Sequence, residues 1–390
     1  MARDTAPLHT SDPATSRAPK RDATIDVAKG IAIILVALGH VERGLVNAGL
    51  VDFDGWAGRL DAWLYTFHIP LFMFLAGLFV ATSVRRYGLR GFLRRRLVEL
   101  VWVYVVWQLI NTAASVVLAN VTNGHATWFD VVALWAPYGA MWFLPSLAVG
   151  TLVVAPAWWW AQRRRGRWST AVLAALLAAL TAVSVWLWIP LTSWPWDWIR
   201  PQLWSFLAMG VVLGHAGLRR ALSALPGYAL TAVAIVGATA VHLGAGVPGA
   251  VPTLLEPVAG TLGAHIAGVA AAWLGTLAVV AASALIARHA RLLTLALAYL
   301  GVRSLAIYVS HTNFTAGTRV ALGLLGLTAA PLEVVLGVTI GIAGPLVLYA
   351  LAGRFHLGWL YRPPSSLSGR TPPAAPRAEP LAAAGGDVGR

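Results

Sequence analysis

Residues 21–43 read RDATIDVAKGIAIILVALGHVER. An apolar run of about 20 residues is long enough to cross the hydrocarbon core of a bilayer as a helix. This run interrupts its apolar character at Asp26, Lys29 and His40. Lys29 and His40 are eleven residues apart. At 100° per residue that is about 1100°, some 20° past three full turns, so both side chains share a face about 16 Å apart along the axis. Asp26, three residues before Lys29, neighbours it on the helix surface. One stripe of a membrane helix therefore carries an acid, a cation and an imidazole. Ionisable groups at that depth are costly and face a polar cavity or a partner.

The rest of the chain has the same character. Of 390 residues, 58% are hydrophobic and 11% charged, and the mean hydropathy is +0.70. A soluble domain carries about 25% charged residues. The composition excludes a disordered chain, a collagen-like chain and an ordinary soluble enzyme. It predicts an all-α polytopic membrane bundle of about ten transmembrane helices, at 25–46, 60–83, 98–119, 140–161, 169–189, 199–216, 228–245, 267–287, 298–322 and 332–353. There is no cysteine, so disulfides, Cys–zinc sites and thiol nucleophiles are excluded.

The net charge of +14 would suit nucleic-acid binding, but the distribution of charge points elsewhere. Most of the 29 Lys and Arg residues fall in alternate connections. Arg3, Arg17, Lys20 and Arg21 precede the first span. Arg85, Arg86, Arg90 and Arg94–Arg96 follow the second, and Arg163–Arg165 and Arg167 follow the fourth. Arg219, Arg220, Arg288 and Arg291 follow the sixth and eighth. Arg354 and the later arginines follow the last. The positive-inside rule places both termini in the cytoplasm of a cell membrane, with an even number of spans. No nucleic-acid partner is expected. The domains read as a disordered arm over 1–22, a transmembrane domain over 23–355 and a disordered tail over 356–390.

Further polar residues interrupt apolar segments. His68 lies in an F-H-I-P sequence, at a depth like that of His40 but on a helix running the other way. Pro70 could kink that helix and leave His68 merely satisfying the backbone. Ser304, Tyr308 and His311 are spaced i, i+4, i+7 and form one stripe, which serves structure as readily as a site. Arg303 lies closer to the cytoplasm. Arg94, Arg95 and Arg96 would bind anionic lipid or, alternatively, an anionic ligand. Trp142 begins the fourth span, where an aromatic belt is the ordinary role. Asp61 and Arg200 lie at the outer side, Asp61 placed to orient an imidazole and Arg200 to snorkel or meet an acceptor. Gln108, Asn111 and Ser115 read as interhelical hydrogen-bonding groups.

The pattern D-x-x-K-G followed by ten residues and His, at 26–40, resembles the first helix of the acyltransferase-3 superfamily. The branch it most resembles comprises the fucose 4-O-acetylase-like membrane acetyltransferases. YTFHIPLFMFLAGLF at 65–79, MWFLPSL at 141–147 and SLAIYVSH at 304–311 resemble further motifs of that branch. The resemblance runs in order from about 21 to 355. It implies ten spans and transfer of an acyl group, usually acetyl from acetyl-CoA, to a hydroxyl of a sugar or related acceptor.

The expected division of labour follows depth. Lys29, Arg303 and Arg94–Arg96 would hold the anionic head of acetyl-CoA near the cytoplasm. His40 would act as general base, because an imidazole titrates near neutrality. His68 or His311 would stabilise the oxyanion or orient His40. Trp142, Asp61 and Arg200 would meet the acceptor, which could be a sugar, a glycan or a small molecule such as a macrolide. No metal is expected. The other reading is a transporter or flippase in which the same histidines relay protons.

Overall fold

In a computed structural model the described residues are 23–120, 126–164, 166–189, 191–252 and 260–368. The arm expected over 1–22 and the tail beyond 368 lie outside the described residues, as do His125 and Arg165. Among the described residues the secondary structure is helical, with no strand. The long helices are α1 (Ala23–Asn47), α2 (Gly58–Gly77), α3 (Val80–Val117), α4 (Phe143–Arg163), α5 (Arg167–Trp186), α6 (Trp204–Ala224), α7 (Gly227–Ala245), α8 (Leu262–His289), α9 (Arg291–Val302), α10 (Ser304–Leu324) and α11 (Ala330–Arg354).

Eight of these helices are long and apolar enough to cross a membrane, and α9 with α10, bent by 79° at Arg303, makes a ninth candidate. The expected spans fall on these elements, the second running past α2 into α3 and the ninth across α9 and α10. The expected sixth span falls on α6, which is not among the candidates. A non-helical Gly214 (φ 63°, ψ 162°) breaks it, and Arg219 and Arg220 end it. At the break the N–H of His215 turns to the carbonyl of Leu78 at 2.9 Å. The outward surfaces are apolar. Leu292 is 83% exposed and Leu324 81%, which suits lipid and not water. The molecule is a multi-pass membrane protein.

The first helix lies at the centre, packed against α2, α8, α9, α10 and α11. It gets there by backbone approach. A side chain at Gly30 would collide with the carbonyl of Leu297 on α9, and one at Gly301 would collide with the carbonyl of Asp26 on α1. Gly77 of α2 and Gly210 of α6 repeat the device, each lying against backbone of the other helix. Small residues allow such crossings, where dispersion replaces the hydrophobic drive that lipid does not supply. Polar glue completes the packing. Asn111 donates to the carbonyl of Val309 at 3.0 Å and accepts from Asn313 at 2.8 Å. Gln108 bridges the chain at Ala136 and Tyr138, at 3.2 and 2.9 Å.

One boundary differs from the expectation. Residues 356–368 do not begin a disordered tail. The Trp102 indole donates to the carbonyl of Trp359 at 2.6 Å, and the Trp107 indole to that of Leu360 at 2.8 Å. Tyr361 is buried against Trp107 and Tyr349. The two indoles of α3 hold this segment against the bundle.

The glycine crossings predict a position-specific cost. Gly301→Leu should eliminate monodisperse protein in detergent, whereas Gly323→Leu, at a glycine with open space around it, should lower Tm by only a few degrees. Equal tolerance in size-exclusion and thermal-unfolding assays would contradict the α1–α9 contact.

Candidate active site

A cavity of about 620 Å³ runs along the Lys29–His40 face of α1, walled by α2, α3, the start of α4 and α10. Toward Lys29 its wall contains Phe79, Ser83, Tyr87, Arg95, Arg96 and Glu99. Toward His40 it contains Arg43, Tyr65, His68, Trp142 and Arg200. Helical geometry puts about 16 Å between the two ends.

At the second end His40 lines the cavity, and the His311 ring stands behind it edge-to-face, with centroids 4.9 Å apart. His311 donates through Nδ1 to the carbonyl of Tyr308 at 2.7 Å. His68 donates through Nδ1 to the carbonyl of Leu64. A carbonyl only accepts, so each ring carries its proton on Nδ1 and keeps a lone pair on Nε2. Nε2 of His311 is buried with no hydrogen-bond partner among the described residues. Pro70 deprives Thr66, not Leu64, of its helical donor. His68 therefore does not fill the gap that the proline leaves, and it lines the cavity.

Two cations crowd the same end. Arg43 donates through Nε to Asp61 at 2.6 Å and lies over the Tyr65 ring at 3.4 Å. Arg200 lies over the Trp142 ring at 4.0 Å and donates through Nε to the carbonyl of Asp197 at 2.8 Å. Arg200 has φ 48° and ψ 62°. For a residue with a Cβ this left-handed conformation costs about 1–2 kcal/mol, which the stacking and the Asp197 contact offset. At the first end Lys29 lies over Phe79 at 5.1 Å, Arg95 over Tyr87 at 4.4 Å, and Arg96 pairs with Glu99 at 3.6 Å.

Four expected site residues do not line the cavity. Arg94 is exposed, because it lies a full 100° round the helix from Arg95. Arg303 sits at the bend between α9 and α10, where it stacks on Tyr299 at 3.7 Å and donates to the carbonyl of Tyr299 at 3.2 Å. Asp61 is 0% exposed and pairs with Arg43. His311 is buried behind His40 and does not reach the cavity surface. Conversely, sequence reasoning passed over Arg43 and Tyr65 as site residues, although each lies three residues from an expected histidine and so shares its helix face. Ser304 and Tyr308 line the wall as their stripe suggested, with the Tyr308 hydroxyl donating to the carbonyl of Ala140.

Residues 22–350, which hold the whole cavity, match a family model described as "Acyltransferase domain". The chain belongs to the acyltransferase-3 family. Two relatives, both named Nodulation protein NolL, are similar to this acyltransferase-3 chain over part of its length. The one from Mesorhizobium japonicum is 28% identical over 135 residues, 34% of this chain and 35% of the relative. The one from Sinorhizobium fredii is 31% identical over 137 residues, 35% of this chain and 36% of the relative. The matched part thus spans about a third of each relative's length. No solved structure matches.

Removing one partner of a buried ion pair costs about 3–5 kcal/mol, because the other charge is stranded, while replacing both with apolar groups is often neutral. Asp61→Ala should therefore lower Tm strongly, and the Asp61→Leu/Arg43→Leu double variant should recover most of the loss. Additive losses in thermal unfolding would show that the pair is not coupled.

Proposed function

We propose that this membrane protein transfers a short acyl group, typically acetyl, from acyl-CoA to a hydroxyl of a sugar, glycan or small-molecule acceptor. The single observation that carries the reading is the continuous cavity on one face of α1, cationic at Lys29 and imidazole-lined at His40. Family membership sets the reaction class. The charge asymmetry of the connections supports a topology with both termini and the Lys29 end in the cytoplasm and the His40 end toward the outside of the cell membrane.

Lys29, Arg95 and Arg96 supply positive charge for the polyanionic head of the donor. The distance of about 16 Å from Lys29 to His40 suits an extended arm lying along the apolar wall of Phe72, Leu75 and Ala76. Trp142 and Arg200 meet the acceptor, and Asp61 assists by holding Arg43. His40 takes the proton of the acceptor hydroxyl as its oxygen attacks the thioester carbonyl. The C–O bond forms, the C–S bond breaks, and the departing thiolate takes the proton back from His40. His68, with its Nε2 lone pair toward the cavity end, would need to be protonated to donate to the oxyanion. As the neutral ring it fits better as an acceptor that positions the incoming hydroxyl. His311 supports the His40 ring from behind.

General-base catalysis contributes about 10²–10⁴-fold. His40→Ala should thus lose at least a hundredfold in acetyl transfer from labelled acetyl-CoA to base-labile product, with unchanged elution on size exclusion. Near-normal turnover would sink the assignment. Lys29→Gln and Arg96→Gln should raise KM for acetyl-CoA by about tenfold while shifting KM for the acceptor much less, since charge-assisted phosphate contacts are worth about 1.5–3 kcal/mol each. An equal shift in both KM values would remove the donor from this end. Transfer that requires an ion gradient would favour a transporter.

A further inference from the structure

The wall around His40 is electrically one-sided. Arg43 and Arg200 both line it, and the one carboxylate among the lining residues, Glu99, lies toward the other end and is paired with Arg96 at 3.6 Å. Asp61 is spoken for by Arg43 at 2.6 Å and does not reach the cavity surface. Arg200 is the more informative cation. Its flat face rests on Trp142 at 4.0 Å and its Nε–H is taken by the carbonyl of Asp197 at 2.8 Å. Among the described residues its two terminal amino groups have no acceptor within hydrogen-bonding distance, and no carboxylate lies within ion-pairing distance of it.

A guanidinium has five donors and no acceptor, and it charges irrespective of pH in the physiological range. One held by its face and by Nε presents its remaining end as a fork of parallel N–H groups. That fork matches the two oxygens of a carboxylate or phosphate. An aromatic ring beside it suits the apolar face of a sugar ring or its equivalent. The acyl donor does not need this cation, because its phosphates have Lys29, Arg95 and Arg96 about 16 Å away along α1.

We propose that the acceptor is an anion, bearing a carboxylate or phosphate near the acylated hydroxyl, and that Arg200 seated on Trp142 reads that group. The inference rests on the acyl-transfer reading and narrows its acceptor class. Arg43 lines the same end, but its charge is largely met by Asp61. Trp142 sets the distance, because it fixes where the Arg200 fork sits relative to His40.

The test uses membranes carrying the full chain, labelled acetyl-CoA and matched acceptors: methyl β-glucoside, its 6-phosphate and methyl β-glucuronide. In the wild type kcat/KM for one anionic probe should exceed that for the neutral glycoside by at least tenfold. The preferred probe distinguishes phosphate from carboxylate. Arg200→Gln should bring the anionic-to-neutral ratio to within about twofold, chiefly through KM, and Arg200→Lys should keep part of it. The ratio does not depend on how much of a variant folds. Endogenous product gives a second readout: base-labile labelled material retained by an anion exchanger supports the proposal. A wild type that accepts the neutral glycoside equally well, a ratio unaltered in Arg200→Gln, or an unretained product overturns this inference alone. Absence of label from every acceptor overturns the acyl-transfer reading, and this inference falls with it.

Discussion

A helix carrying Asp26, Lys29, His40, Glu42 and Arg43 cannot face hydrocarbon. Each charge at bilayer depth costs at least about 2.5 kcal/mol by insertion scales, and more by other measures. That constraint organises the molecule. It drives α1 to the centre, where five helices surround it. It leaves apolar helices such as α5 and α11 at the rim, with most of their surface turned outward. It also demands a cavity, since Lys29 and His40 are on one face and a close-packed apolar neighbour would strand both. The glycine crossings at Gly30–Leu297 and Gly301–Asp26 let α9 close over the rest of α1 at backbone distance.

The same constraint explains how the site is divided. The stripe of α1 is straight, so its two polar ends are fixed about 16 Å apart by helical rise alone. Elements with quite different local chemistry converge on each end. The positive-φ turn at Gly88 starts the helical run that delivers Arg95 and Arg96. Arg200 follows the short helix Trp196–Ile199 in a left-handed conformation and lines the cavity. A reacting pair of molecules entering from opposite ends would meet at His40, and neither would have to traverse the other's charged mouth.

Much of this was legible in the sequence because the membrane makes composition speak. Apolar length located the helices, and the spacing of Lys29 and His40 located the cavity. Side-chain direction was harder. Arg94, Arg95 and Arg96 are adjacent in sequence, but helical rotation sends the first to the surface and the others to the cavity. Arg303 looked like a cavity cation until the bend between α9 and α10 turned it onto Tyr299. Asp61 and Arg43 were both visible as outer-side charges. Their pairing at 2.6 Å depends on how α1 and α2 cross, which no one-dimensional pattern contains.

The least legible feature is also the most general one. Four cations line the cavity against rings that line it too: Lys29 on Phe79, Arg43 on Tyr65, Arg95 on Tyr87 and Arg200 on Trp142. A membrane protein can stabilise a buried cation with a carboxylate, but the pair then presents less net charge to a ligand. A ring stabilises the cation by about 0.5–2 kcal/mol through its quadrupole and leaves the net charge in place. Aromatic support thus keeps a cation at depth without itself cancelling the charge. On this argument the exceptions are the informative contacts. Arg43 has Asp61 as well as Tyr65, so its charge is committed to the fold. Among the described residues Arg200 meets only Trp142 and a backbone carbonyl, which is why the proposed acceptor anion is assigned to it.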